Sequence, residues 1–126
     1  MSMSAKGKLT IYLYSKCGTC RSAIKSLQAK GWELEQHDLF QQGAPSIEEL
    51  RSLVERSGLE LKKFFNTSGD LYKELGLKDK LPAMTDEERL ALLASNGRLV
   101  KRPIVTDGTK VTVGFKEDLF EQEWGA

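Results

Sequence analysis

Cys17 and Cys20 are the chain's two cysteines, with Gly18 and Thr19 between them. Thiols held this close can exchange a disulfide through a mixed-disulfide intermediate. So short a loop makes a poor structural staple, because loop-closure entropy grows with loop length. A secreted disulfide scaffold carries more cysteines at wider spacing. The pair therefore reads as chemistry, and the compartment as cytoplasmic. One alternative is half of a zinc site, but zinc would need two more ligands and the chain offers only His37 and carboxylates. Two inert buried thiols are the other alternative.

The elements around the pair matter more than its spacing. Leu9-Thr-Ile-Tyr-Leu-Tyr14 is an apolar, β-prone run with bulky residues on both faces, as in a strand buried on two sides. Gly18 to Lys30 reads as a helix, with Cys20, Ala23, Ile24 and Leu27 on one face and Arg21, Lys25 and Gln28 outside. Gly31 ends it. Cys17 then sits where a strand gives way to a helix N-terminus. Unpaired N–H groups and the positive end of the helix dipole favour thiolate there. Thiol pKa values of about 3.5 to 7.5 occur in such settings. Cys17 at the exposed mouth is the expected attacking thiol. Cys20, one turn on and pointing partly inward, is the expected resolving thiol.

The rest of the chain supplies the frame. Glu33 to Asp38 is a weak strand that completes a βαβ unit with a right-handed crossover. Gln41-Gln-Gly-Ala-Pro45 has linker composition. Ser46-Ile-Glu-Glu49 and Thr85-Asp-Glu-Glu88 read as capping boxes. The first leads into Ile47, Leu50, Leu53 and Val54 and stops at Gly58. The second leads into Leu90, Leu93 and Ala94 and ends at Asn96-Gly97. Leu59–Phe65 and Leu71–Leu75 read as short helical pieces joined by a turn at Asn66-Thr-Ser-Gly69. Asp107-Gly108, between Pro103–Thr106 and Lys110–Val113, signals a hairpin. Phe115 to Trp124 reads as a final helix, with Phe115, Leu119, Phe120 and Trp124 inward.

The order is βαβ, helical stretch, ββα. It outlines an α/β, thioredoxin-like fold with a mixed four-stranded sheet, its core at about residues 8–44 and 98–126 and an all-helical insert at about 45–97. At 126 residues this is the length of one domain. With 40% hydrophobic and 29% charged residues, disordered and collagen-like classes are excluded. A net charge of +1 gives no electrostatic footprint for nucleic acid or anionic lipid. No apolar run approaches the roughly 20 residues of a membrane-spanning helix. Met1 to Lys8 is small and polar, without the apolar centre of a secretory signal.

Lys101-Arg102-Pro103 precedes the third strand. Pro cannot donate to a ladder, so a strand start suits it. In a thioredoxin-like fold this proline faces the CxxC loop and is cis. Arg102 would then aim its guanidinium toward Cys17, to stabilise the thiolate or bind an oxyanion by its fork. The plainer alternative is a solvated arginine. His37 on a weak strand reads as half-buried and structural. Trp32, Phe64, Phe65 and Trp124 read as packing.

Four stretches, in order along nearly the whole chain, carry a family resemblance. They are Tyr14-Ser-Lys-Cys-Gly-Thr-Cys-Arg21, Leu71-Tyr-Lys-Glu-Leu-Gly-Leu77, Lys101-Arg-Pro-Ile104 and Val113-Gly-Phe-Lys-Glu-Asp118. Together they resemble the arsenate reductase (ArsC)/Spx/MgsR family. The resemblance implies Cys17 as nucleophile, Cys20 as internal resolving thiol, and Gly18, Thr19, Arg21 and Pro103 as supporting residues. It implies no metal or organic cofactor, only an external donor such as thioredoxin, glutaredoxin or a low-molecular-weight thiol. A monomer that acts without binding nucleic acid or a membrane directly is expected. The family's arsenate reductases place three arginines around the oxyanion. Arg102 matches one; the others would fall at Asn66 and at Gly114 or Phe115. The family's Spx-type regulators instead bind RNA polymerase, through the C-terminal domain of its α-subunit. Phe64-Phe-Asn-Thr-Ser-Gly69 lacks the basic character those regulators show at this turn, and is similar to ArsC-related members with Asn-Thr there.

Overall fold

The apolar run after Gly7 forms β1, Gly7–Leu13, in a computed structural model that describes residues 7–14 and 16–125. Most of the polar N-terminal stretch, and Ser15 of the Tyr14–Arg21 motif, lie outside the described residues. The helix expected from Gly18 is α1, Gly18–Ala29, and the weak strand is β2, Trp32–Asp38. β2 pairs parallel to β1, with Leu9 opposite Leu34 and Leu13 opposite Asp38. β3, Ile104–Thr106, runs antiparallel to β1, and β4, Val111–Val113, antiparallel to β3. The result is the expected mixed sheet, in the order β2-β1-β3-β4. The turn between β3 and β4 is longer than the Asp107-Gly108 pair alone. The Asp107 carboxylate accepts from the N–H groups of Thr109 and Lys110, and Thr106 Oγ1 accepts from Gly108 N–H. The Asp and Thr side chains thus close a four-residue loop of the kind their local hydrogen bonding favours.

The chain forms two compact units. One runs to Asp38 and resumes at Arg102; the other is Leu39–Lys101. In the first, Leu9, Ile11 and Leu13 of β1 meet Val105 of β3, Cys20, Ala23 and Leu27 of α1, and Phe120 and Trp124 of α6, Glu117–Trp124. Every second residue of β1 points to this face because strand side chains alternate. Both helices therefore cover the same side of the sheet. Phe115 and Leu119, expected inward, are only half-buried. Trp32 Nε1 donates to the Trp124 carbonyl at 2.7 Å, and the two indoles meet edge to face.

A polar tie between α1 and α6 was not foreseen. Buried Ser26 donates to the Glu117 carboxylate at 2.9 Å, and Lys30 reaches Glu117 at 2.6 Å and Glu121 at 3.1 Å. Burial works against the Lys30 charge, but the two carboxylates outweigh it and hold its pKa above the ordinary lysine value. The tie anchors the far end of the helix that begins at Cys17.

The Leu39–Lys101 unit contains α2, Ile47–Ser57; α3, Asp70–Glu74; α4, Leu77–Lys80; and α5, Asp86–Ser95. Ser46 Oγ accepts from Glu49 N–H, and Gly58 closes α2 in the left-handed conformation. Thr85 and Glu88 form the full capping box. Two features were not legible as separate elements. Gly76, at φ 63°, breaks the helical run between α3 and α4, and Pro82 starts a 3-10 turn at Leu81–Ala83. The unit also carries one antiparallel bridge, Phe65 opposite Val100, flanked by a 2.8 Å bond from Asn66 N–H to the Leu99 carbonyl. Among the described residues no helix is long and apolar enough to cross a membrane.

Gly97 does more than end α5. It is buried, and a Cβ there would overlap the backbone carbonyl of Leu39. Backbone cannot swing aside as a flexible side chain does. Gly97→Ala should cost about 1–3 kcal/mol, the range for overpacking. Thermal or urea unfolding measures it, and an unchanged midpoint would contradict this close approach.

Candidate active site

Cys17 is the N-cap residue of α1, with extended backbone at φ −84° and ψ 122°. Its N–H donates to the Tyr14 carbonyl at 2.9 Å, and its own carbonyl accepts from Arg21 N–H at 3.1 Å. The chain is thus turned out of β1 and into α1 at Cys17 itself. Gly18, Thr19 and Arg21 are exposed, and a Cβ on Gly18 would meet nothing within 4 Å. Cys17 is half-buried, Cys20 fully buried, and both are free thiols.

The two sulfurs are placed in opposite electrostatic settings. Burial pushes the Cys17 thiol up, yet the sum of the other influences brings it below the ordinary thiol value. Those influences are the Cys20 N–H, the Cys20 thiol, the Thr19 N–H and the Arg102 charge. As a neutral thiol Cys17 makes no cap hydrogen bond of ordinary geometry; the amides act on the charge that forms when it ionises. Cys20 is pushed up to about 12, first by burial and then by the neighbouring Cys17 sulfur, against the opposing Tyr14 amide and Arg102 charge. Two thiols one helical turn apart therefore have different roles open to them: the thiolate is favoured at Cys17 and disfavoured at Cys20.

Arg102 and Pro103 complete the site. The Arg102–Pro103 peptide is cis, as the thioredoxin-like pattern implied. Pro103 is buried, and its carbonyl accepts from Gly114 N–H at 2.8 Å. Arg102 is half-buried rather than freely solvated, and its guanidinium lies over the Tyr14 ring, 5.6 Å from the centroid. Its charge favours thiolate at both cysteines, but for Cys17 it ranks below the amides of the helix start. The strand–CxxC–helix arrangement could be read from the sequence. Tyr14 could not, because an aromatic at the end of a buried strand looks like any core residue.

The positions where the resemblance implies further arginines hold other residues here. Gly114 has φ 85°, which strains any other residue. Phe115 packs its ring on Phe120, 4.8 Å between centroids. Asn66, in the Leu39–Lys101 unit, accepts at its carbonyl from Gly69 N–H at 3.1 Å and serves the turn. His37 is half-buried with its ring 5.1 Å from that of Tyr12, as a structural residue would be. Among the described residues no cluster of three or more His, Cys, Asp or Glu could hold a metal ion.

A thioredoxin-like sheet with a CxxC pair at the first helix and a cis-proline beside it defines a class of thiol-bearing proteins. Within that class, the model of the ArsC family matches residues 12–122, so the chain belongs to the ArsC family. It is 60% identical over 116 residues to YusI of Bacillus subtilis, covering 92% of this chain and 98% of that one; YusI is described only as an uncharacterized protein. Regulatory protein MgsR of the same organism is 31% identical over 108 residues, 86% of this chain and 83% of its own. An arsenate reductase of Escherichia coli is 31% identical over 106 residues, 82% of this chain and 72% of its own. Among solved structures, an ArsC family related protein from Bacteroides fragilis superposes with a TM-score of 0.85 at 44% identity, covering 97% of this chain and 98% of that one. The family thus holds both enzymes and regulators.

The ranking of influences on Cys17 has a measurable consequence. Arg102→Ala should raise the apparent pKa of Cys17 and slow its alkylation near neutral pH, by less than about tenfold, the effect of one pKa unit. Iodoacetamide rates against pH, with the labelled residue identified by mass spectrometry, test this. Curves that coincide for both proteins would remove Arg102 from the account and leave the helix start alone.

Proposed function

We propose that this protein is a thiol–disulfide oxidoreductase in which Cys17 attacks and Cys20 resolves. The observation that carries the reading is the half-buried Cys17 at the start of α1, favoured as thiolate, beside a fully buried Cys20 that keeps its proton. The Cys17 thiolate would attack one sulfur of a substrate disulfide and expel the other as thiolate, forming a mixed disulfide. In that state Cys17 no longer carries charge. The part of the Cys20 elevation that comes from the Cys17 sulfur is then lifted. Cys20 becomes easier to deprotonate and attacks Cys17 Sγ, releasing the second substrate thiolate and closing the Cys17–Cys20 disulfide. Two electrons from an external thiol donor, such as thioredoxin, glutaredoxin or a low-molecular-weight thiol, restore the pair. Arg102 favours the thiolate throughout, because guanidinium does not lose its proton. No step calls for a metal or an organic cofactor.

Arsenate is a poor fit to this site. Arg102 is present, but Asn66, Gly114 and Phe115 stand where the family's reductases place arginine. An oxyanion taken from water with one guanidinium is under-compensated. The identity to MgsR supports a second reading, a redox-switched regulator that binds the C-terminal domain of the RNA polymerase α-subunit.

Mild oxidation should yield an intramolecular Cys17–Cys20 bridge, found by thiol labelling and mass spectrometry. Cys17→Ser should abolish thiol reactivity, and Cys20→Ser should leave a trappable mixed disulfide. Stoichiometric zinc protecting both thiols would defeat the proposal. Coupled assays should give weak or no arsenate turnover; efficient turnover at ordinary arsenate concentrations would overturn the assignment of those three positions. Oxidant-dependent capture of that polymerase domain would favour the regulator.

A further inference from the structure

Tyr14 lies between β1 and the cysteine turn and touches both Cys17 and Arg102. Its carbonyl takes the Cys17 N–H at 2.9 Å, and its ring lies beneath the Arg102 guanidinium, 5.6 Å from the centroid. A cation within about 6 Å of an aromatic face is held there by the ring quadrupole. The backbone bond fixes where the nucleophile starts, and the ring fixes where the cation can rest. One residue therefore contacts both Cys17 and Arg102. Holding a long arginine side chain in one rotamer costs entropy, and the ring contact offsets part of that cost.

The geometry points to Tyr14 as a positioning residue for the Cys17 thiolate, acting through its ring on Arg102. This rests on the proposed role of Cys17 as nucleophile, but it concerns the thiolate alone and not the disulfide exchange. Each element around Cys17 brings a different group to bear. Cys20 acts from α1 and Arg102 from the segment before β3, while the Thr19 and Cys20 amides act from the helix start. Lys16 and Arg21 flank the turn with exposed side chains. Of the two cationic side chains so placed and the half-buried Arg102, only Arg102 rests on Tyr14.

The test uses the full chain and four proteins besides wild type: Tyr14→Phe, Tyr14→Leu, Arg102→Ala and the Tyr14→Leu/Arg102→Ala double variant. The readout is the pH profile of iodoacetamide alkylation at Cys17, with far-ultraviolet circular dichroism and a thermal midpoint for each. Tyr14→Leu should move the profile to higher pH and slow alkylation near neutrality by about threefold, the scale of an exposed cation–π contact. Tyr14→Phe should follow wild type, because it keeps the ring. The double variant should match Arg102→Ala alone, because the ring acts only through the guanidinium. A wild-type profile for Tyr14→Leu would overturn the inference. So would a Tyr14→Phe profile that shifts with Tyr14→Leu, or a double variant whose shifts add. If Tyr14→Leu does not fold, Tyr14→Phe and a Tyr14→Trp variant, which keeps an aromatic face, must still track wild type or the inference fails. Failure of the Cys17–Cys20 bridge to form would overturn the redox role and leave these profiles unaffected.

Discussion

The site depends on one turn of backbone, in which the Tyr14 carbonyl takes the Cys17 amide and α1 begins at once. That turn makes Cys17 the cap of a helix, so its sulfur meets amide N–H groups that have no partner within the helix. It also fixes Cys20 one turn later on the buried face, among Leu9, Ile11, Leu13 and Leu27. The asymmetry between the thiols follows from this placement. Burial acts against ionisation at both, but only at Cys17 do the Cys20 amide, the Cys20 thiol, the Thr19 amide and the Arg102 charge together reverse the outcome. The remainder of the first unit keeps the turn in place. β1 is held on one side by β2 and on the other by β3, and the far end of α1 is tied to α6 by Ser26, Lys30 and Glu117.

Much of this was legible because it is written in local patterns. Strand, helix and strand around Cys17 announced themselves by period and by Gly31. The hairpin was visible in Asp107-Gly108, and α5 in the Thr85–Glu88 box. Cys17 could be singled out because CxxC at a helix start carries its own physics. What stayed hidden depends on contacts between residues distant in sequence. Ser26 donates to Glu117, 91 positions on, a contact that no local pattern announces. Gly97 looked like a helix stop, and its close approach to Leu39 is a matter of packing. The Phe65–Val100 bridge joins segments that no periodicity connects. Tyr14 belongs to the same group, since only the fold brings Arg102 over its ring.

Where the resemblance implies further arginines, this chain differs in backbone as well as in side chain. Gly114 occupies a left-handed conformation next to the bond it makes to Pro103, so an arginine could enter there only with strain. Phe115 is committed to Phe120. The thiol pair matches the motif that the resemblance implies while the arginine set does not, which supports the proposal that function rests on the sulfurs rather than on an oxyanion. That combination fits either an exchange of disulfides or a switch, and both rest on the unequal thiols.

The inequality can be observed directly. Carbon-13 label placed at the β-carbons of cysteine reports the ionisation of each thiol separately as pH is varied in an NMR titration of the reduced protein. The account predicts that Cys17 titrates below the ordinary thiol range while Cys20 keeps its proton far into alkali. Two cysteines that titrate together at the ordinary thiol value, or Cys20 ionising first, would contradict it.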